Sequence, residues 1–167
     1  FAAAEHGLAV APNGDMKCPH GDQRSWSADI DAIDALIVAT LGAGGAGYDP
    51  RGVTLIGYSL GATRAEHVAR EHPERYDALV LIGGPSAPSP RGLSQLRAAA
   101  MMAGERDRQD LMKRGVHAFR AVGIPSRFFE LPEAAHGQMG PDSERVMREV
   151  LAWLEEPSSA REGDRSK

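Results

Sequence analysis

The sequence predicts an α/β protein: a three-layer α/β/α sandwich around a mostly parallel sheet of about five strands. Three observations carry that expectation. Short apolar runs alternate with longer segments of helical periodicity along most of the chain. The segment Asp77-Ala78-Leu79-Val80-Leu81-Ile82 is almost continuously apolar, as a strand must be when helices cover both faces of its sheet. The run Val53-Thr54-Leu55-Ile56 leads through Gly57-Tyr58-Ser59-Leu60-Gly61 directly into a helical stretch, giving a strand, a tight turn and a helix in succession.

Taken in order, Leu8-Ala9-Val10-Ala11 reads as a first buried strand closed by the turn Pro12-Asn13-Gly14-Asp15. A polar loop runs to Ser25. Ser27 then suits a helix N-cap, with Asp29 and Asp31 favourably near the positive end of the helix. Ile30, Ile33, Ile37 and Leu41 recur at helical spacing, and Gly42 is expected to end that helix. The stretch from Gly42 to Gly47 is a flexible connection and not a phosphate loop, because it follows a helix and lacks the Lys-Ser/Thr pair. Val53 to Ile56 is the second strand, and Ala62 to His72 is a helix stopped by Pro73. Asp77 to Ile82 is the third strand, and Pro85, Pro88 and Pro90 make the next segment an irregular loop. Ala98 to Ala103 reads as a fourth strand, although its Ala and Met content equally suits a helix. A helix from about Gln109 to Val122 carries Leu111, Phe119 and Val122 on one face. Arg127 to Leu131 is the fifth strand. Ser143 to Glu155 is a final helix with Val146, Met147, Val150, Leu151 and Leu154 on one stripe. From Pro157 the composition turns polar, so residues 157–167 are expected to form a disordered tail behind a domain of residues 1–156.

Composition narrows the functional classes. With 167 residues the chain can bury one core, and 42% hydrophobic with 25% charged residues is ordinary for a globular domain. The formal charge is −4 and Lys and Arg are scattered, so no nucleic-acid surface or polybasic membrane patch is expected. No apolar run approaches the roughly 20 residues of a membrane-spanning helix. Cys18 is the one cysteine, which precludes an internal disulfide and suits a cytoplasmic setting. A cysteine with one nearby histidine, His20, falls short of the four ligands of a structural zinc site, so no metal is expected.

The chemistry lies in the Gly-x-Ser-x-Gly turn. A serine between a strand and a helix sits in a strained backbone conformation that pushes its hydroxyl into the open. Glycines on either side are expected because a side chain there would meet the neighbouring strand or helix. Ser59 is therefore the candidate nucleophile. Reactive groups of parallel sheets gather beyond the carboxyl ends of the strands. Two further strand ends carry suitable groups: Gly104-Glu105-Arg106-Asp107 and Pro132-Glu133-Ala134-Ala135-His136-Gly137. Hydroxyl, carboxylate and imidazole thus follow one another in the chain order Ser, acid, His. Asp107 has rivals in Glu105, nearer the strand, and Asp110, placed to open the next helix. His136 has rivals in His67, His72 and His117, which suit solvated or capping roles, and in His6 and His20, which precede the serine.

These three segments together resemble the α/β-hydrolase superfamily, and within it small bacterial serine esterases of the dienelactone-hydrolase-like and phospholipase/carboxylesterase-like groups. The resemblance runs from Leu8 to Glu155. It implies a cofactor-free hydrolase in which Ser59 attacks, His136 moves the proton, Asp107 orients the imidazole and the Leu60 backbone N–H meets the oxyanion. The substrate implied is a small carboxylic ester or related acyl compound. Acyltransferase, thioesterase or peptidase chemistry on the same scaffold, or a non-catalytic binding domain, are the alternatives. Tyr58 and Trp26 are candidate walls of the substrate pocket, with packing under a loop the competing role for Trp26. Arg64 is expected to form a salt bridge, and the Pro85 to Ser94 segment to make a short flap over an open site with no cap domain. In the resemblance Leu8 to Ala11 matches a later strand than the first, with Phe1 to His6 as the tail of a preceding helix. Earlier strands and a second oxyanion donor would then lie upstream of Phe1, so a truncated fragment is expected, the alternative being a reduced domain whose first strand pairs directly with the Val53 to Ile56 strand.

Overall fold

A computed structural model describes residues 7–19, 22, 24–44 and 52–156. The expectations for Phe1 to His6, for His20, for residues 45–47 of the Gly42 to Gly47 connection and for residues 157–167 lie outside the described residues. Ten elements follow one another: β1 (Met16–Lys17), β2 (Arg24–Ser25), α1 (Ile30–Ala43), β3 (Val53–Tyr58), α2 (Leu60–Glu71), β4 (Tyr76–Ile82), β5 (Ala98–Gly104), α3 (Gln109–Ala121), β6 (Ser126–Leu131) and α4 (Ser143–Glu155).

The main sheet has four strands in the order β3-β4-β5-β6, every pair parallel. Alternation along each strand divides its side chains between two cores. On one face Leu55, Leu79, Leu81, Ala99 and Met101 pack with Ala62, Ala65 and Val68 of α2 and with Met112, Val116 and Phe119 of α3. On the other, Val80, Ile82, Ala100, Met102 and Phe129 pack with Val146, Val150, Trp153 and Leu154 of α4. Each large side chain so buried contributes about 1.5–3 kcal/mol. All seven residues of β5 are buried. The Ala-Met composition is therefore settled as strand: small side chains let helices approach both faces of the sheet.

The expected strand at Leu8 to Ala11 does not form, and among the described residues the main sheet has four strands rather than about five. Residues 8–11 have no regular structure, and Leu8 is 50% exposed. A four-residue apolar run becomes a strand only where a ladder partner accepts its backbone, and β3 has β4 as its one strand neighbour among the described residues. Ile56, on the α4 side of β3, is 43% exposed because α4 packs over β5 and β6 rather than over β3. The loop expected to reach Ser25 contains instead an antiparallel ladder of β1 with β2. Arg24 braces it by donating to the carbonyls of Gly14 and Asp15.

The cap of α1 also differs. Asp29 is the N-cap, its carboxylate accepting from Ala32 N–H at 3.0 Å, while the Ser27 hydroxyl accepts from Asp29 N–H at 3.1 Å. The helix ends on Gly44 rather than Gly42. The Pro-rich β4–β5 connection is fastened along its length. Glu66 accepts from Ser89 N–H at 3.3 Å, Arg70 donates to the Arg91 carbonyl at 2.7 Å, and Gln95 donates to the Ala69 carbonyl at 2.9 Å. It is pinned to α2 over this span.

Candidate active site

The site forms where β3, β4, β5 and β6 end. Ser59 joins β3 to α2 with φ 53° and ψ −119°, a positive φ that costs a non-glycine residue of order 1–3 kcal/mol. Its N–H donates to the Ile82 carbonyl at 2.8 Å, tying the turn to the end of β4. The sharpness of the turn accounts for one flanking glycine. A Cβ on Gly57 would sit 2.3 Å from the Gly61 carbonyl oxygen, an impossible contact. Gly61 differs from expectation, since the nearest atom to a Cβ there is the Trp26 indole nitrogen at 4.0 Å. The close approach is made by the Gly61 backbone, so the missing side chain that matters belongs to Gly57.

The loops after β5 and β6 bring the other two groups to the serine. Ser59 Oγ lies 3.1 Å from His136 Nε2, and His136 Nδ1 lies 2.9 Å from Asp107 Oδ2. A carboxylate only accepts, so this contact places the ring proton on Nδ1 and leaves Nε2 as the acceptor facing the serine. The second oxygen of Asp107 accepts from Arg108 N–H at 2.7 Å. Burial raises the Asp107 pKa, but the His136 hydrogen bond, the Arg108 N–H and the nearby positive charge outweigh it. The carboxyl is held below its ordinary range. The Asp107 side chain is 10% exposed and that of His136 is 52% exposed: a sheltered acid behind an open imidazole. As the first residue of α2, Leu60 has no carbonyl a turn behind it within the helix to take its N–H.

The rivals sit elsewhere. The Glu105 carboxylate accepts from Glu133 N–H at 2.8 Å, and Asp110 pairs with Arg114 at 3.3 Å along α3. His72 caps α2 and lies 3.2 Å from Asp31. His67 lies within α2 and His117 within α3. Tyr58 packs against the α4-side core, and its hydroxyl accepts from Gly137 N–H. Trp26 packs against the opposite core beside the first turn of α2. Arg64 does not make the expected salt bridge among the described residues; its Nε is buried without a hydrogen-bond partner. Cys18 is a free, half-buried thiol.

Sequence reasoning missed Gly83. It ends β4 at φ +54°, and a Cβ there would lie 3.0 Å from Asp107 Oδ2 and 3.5 Å from His136 Nδ1. Its absence gives Asp107 and His136 room to meet. The available signal was the Gly83-Gly84 pair at the carboxyl end of the most apolar strand.

Two surface hollows of about 410 and 600 Å³ lie at the Ser89 to Ser94 loop and beside residues 12–15, and neither is lined by Ser59 or His136. Among the described residues no group of His, Cys, Asp or Glu is arranged to hold a metal ion. No described helix is long and apolar enough to cross a membrane.

No family model matches the chain, and no curated protein matches it. Solved structures do. The esterase PE8 superposes with a TM-score of 0.64 at 19% identity, covering 87% of this chain and 77% of that one. An arylesterase gives 0.57 at 17% identity, covering 74% and 58% respectively. A Bacillus cereus ATCC 10987 protein described as uncharacterized gives 0.72 at 15% identity, covering 93% of this chain and 53% of its own. At these identities the likeness is one of fold: the chain shares its α/β architecture with these esterases.

Proposed function

We propose that the chain is a cofactor-free serine hydrolase that cleaves a carboxylic ester through an acyl-enzyme. The observation that carries the reading is the unbroken relay Ser59 Oγ–His136 Nε2 and His136 Nδ1–Asp107 Oδ2, with contacts of 3.1 and 2.9 Å. The esterase fold of its structural neighbours supports the same chemistry.

The steps follow from the geometry. As Ser59 Oγ bonds the ester carbonyl carbon, His136 Nε2 takes the hydroxyl proton and becomes an imidazolium stabilised by Asp107. Negative charge moves to the carbonyl oxygen, where the Leu60 N–H meets it. Collapse of the tetrahedral intermediate breaks the bond to the alcohol oxygen, which leaves with the proton from Nε2. Water then attacks the acyl-enzyme with His136 again as base, releasing the carboxylic acid and restoring Ser59. The open imidazole suits an ester presented from solvent without a cap to open.

The test uses a fluorophosphonate probe and a series of p-nitrophenyl esters. Ser59 should be labelled, short esters should turn over, and Ser59→Ala should lose both. Labelling that survives Ser59→Ala would remove Ser59 from the mechanism. Acyl-CoA and peptide-amide substrates in the same assay separate esterase from thioesterase, acyltransferase and peptidase chemistry.

A further inference from the structure

Resting on that reading of the site, we propose that Tyr58 and Glu105 are positioning residues that together seat the loop carrying the base, His136. Each stands beside a member of the relay in sequence: Tyr58 directly precedes Ser59, and Glu105 lies two positions before Asp107. Each reaches across to the third loop. The Tyr58 hydroxyl takes the N–H of Gly137, the residue after the base, and the Tyr58 ring lies 5.6 Å from the imidazole at a tilt of 31°. The Glu105 carboxylate takes the N–H of Glu133 at 2.8 Å, and the next residue, Arg106, donates its own N–H to the Ala134 carbonyl at 2.9 Å.

The loop has reason to need both holds. Glu133 has φ 58°, a left-handed conformation that a non-glycine residue keeps only when its surroundings impose it. Glu105 bonds the N–H of that same residue. The His136 side chain is half exposed, so packing alone does not fix the ring. A base must stay within hydrogen-bond reach of the proton it removes, and a misplacement of about 1 Å can cost about 100-fold in rate. The two contacts grip the loop at 133 and 137, on either side of His136. Nucleophile and acid are thus coupled to the base through their neighbours as well as through the relay.

The test combines Tyr58→Phe, which keeps the ring and removes the accepting oxygen, with Glu105→Ala and Glu105→Gln. Tyr58→Phe and Glu105→Ala should each lower kcat by about 10- to 100-fold with KM within about twofold. Glu105→Gln, whose amide oxygen still accepts from Glu133 N–H, should recover most of that loss. The decisive comparison is in a His136→Ala background. There, Tyr58→Phe and Glu105→Ala should leave the residual rate unchanged, because residues that act through the imidazole have nothing left to position. Thermal melts establish that each variant is folded. Wild-type kcat in both single variants overturns the proposal, as does an equal fractional loss with and without His136. A wild-type chain that neither turns over esters nor takes the fluorophosphonate label refutes the hydrolase reading instead, so the two failures are distinguishable.

Discussion

Residues 7–27 and residues 53–155 both contain apolar runs, yet only those of the second region become strands of the main sheet. In the second, β4 and β5 each have a ladder on both sides and helices over both faces, and their apolar side chains are buried. In the first, Leu8 is 50% and Met16 47% exposed, and side-chain bonds do the holding: Arg24 on the Asp15 carbonyl, Asp15 on Ser27 N–H at 2.8 Å. The difference teaches that an apolar run is a strand only by virtue of its neighbours. Ser59, Asp107 and His136 all follow strands of this second region, after β3, β5 and β6. Of the first region, Trp26 packs near the elbow.

The largest expected effect sharpens this contrast. Ser59→Ala or His136→Ala should lower kcat by about 10⁴- to 10⁶-fold in ester hydrolysis, with the double variant little worse than either single one. Leu8→Ala and Met16→Ala should leave kcat within about twofold, since neither side chain is held by buried packing. A large kcat loss at Leu8 would break the comparison by making the first region part of the site.

Stability should divide in the same way. Leu81→Ala and Met101→Ala, both fully buried, should each cost about 2–5 kcal/mol in urea unfolding, against about 0.5 kcal/mol or less for Leu8→Ala. Equal losses would mean that residues 7–27 belong to the cooperative core.

Within the elbow, Gly57→Ala should abolish activity or folding, because its Cβ would meet the Gly61 carbonyl at 2.3 Å. Gly61→Ala should retain most activity and lose no stability, since its Cβ finds 4.0 Å of space and a helical position favours Ala. Gly83→Ala falls between them, folding with a displaced acid and a reduced kcat. Equal damage at Gly57 and Gly61 would break this contrast.

The smallest effect is on acid stability. Asp107 has a depressed pKa in the folded protein, so it binds its proton less readily folded than unfolded. Its contribution is fully present above the ordinary carboxylate value of 3.8 and is lost as pH falls from there through the lower folded value. Asp107→Asn should therefore flatten the pH dependence of urea unfolding below about pH 4. Asp15, lowered by its bonds from Ser27, titrates with the same sign in the first region, and Asp15→Asn should flatten the curve less because it is more open to solvent.

Much of the second region was legible because its signals are local and redundant. The α4 stripe from Val146 to Leu154 gives the span Ser143–Glu155, and Asp77 to Ile82 gives β4 to within one residue. The turn at Ser59 was marked by strand, glycines and helix together. What escaped depends on distant partners. Leu8 to Ala11 has no ladder partner among the described residues, Ser27 is held by Asp15 through its N–H while Asp29 caps α1, and the room made by Gly83 is visible only once Asp107 and His136 converge on it. The bond from Gly137 to Tyr58 spans 79 positions and leaves no periodic trace in the sequence.

The grip of Tyr58 and Glu105 on residues 133 and 137 bears on how such a loop can be exchanged. Residues 132–140 form a short turn that lies largely at the surface. Here the turn is not an independent cassette. A donor loop with proline at position 137 or 133 would arrive without the N–H that its socket requires, whatever the quality of its own histidine. A successful graft must travel with the hydroxyl before the serine and the carboxylate before the acid, making the portable unit three short pieces of chain rather than one.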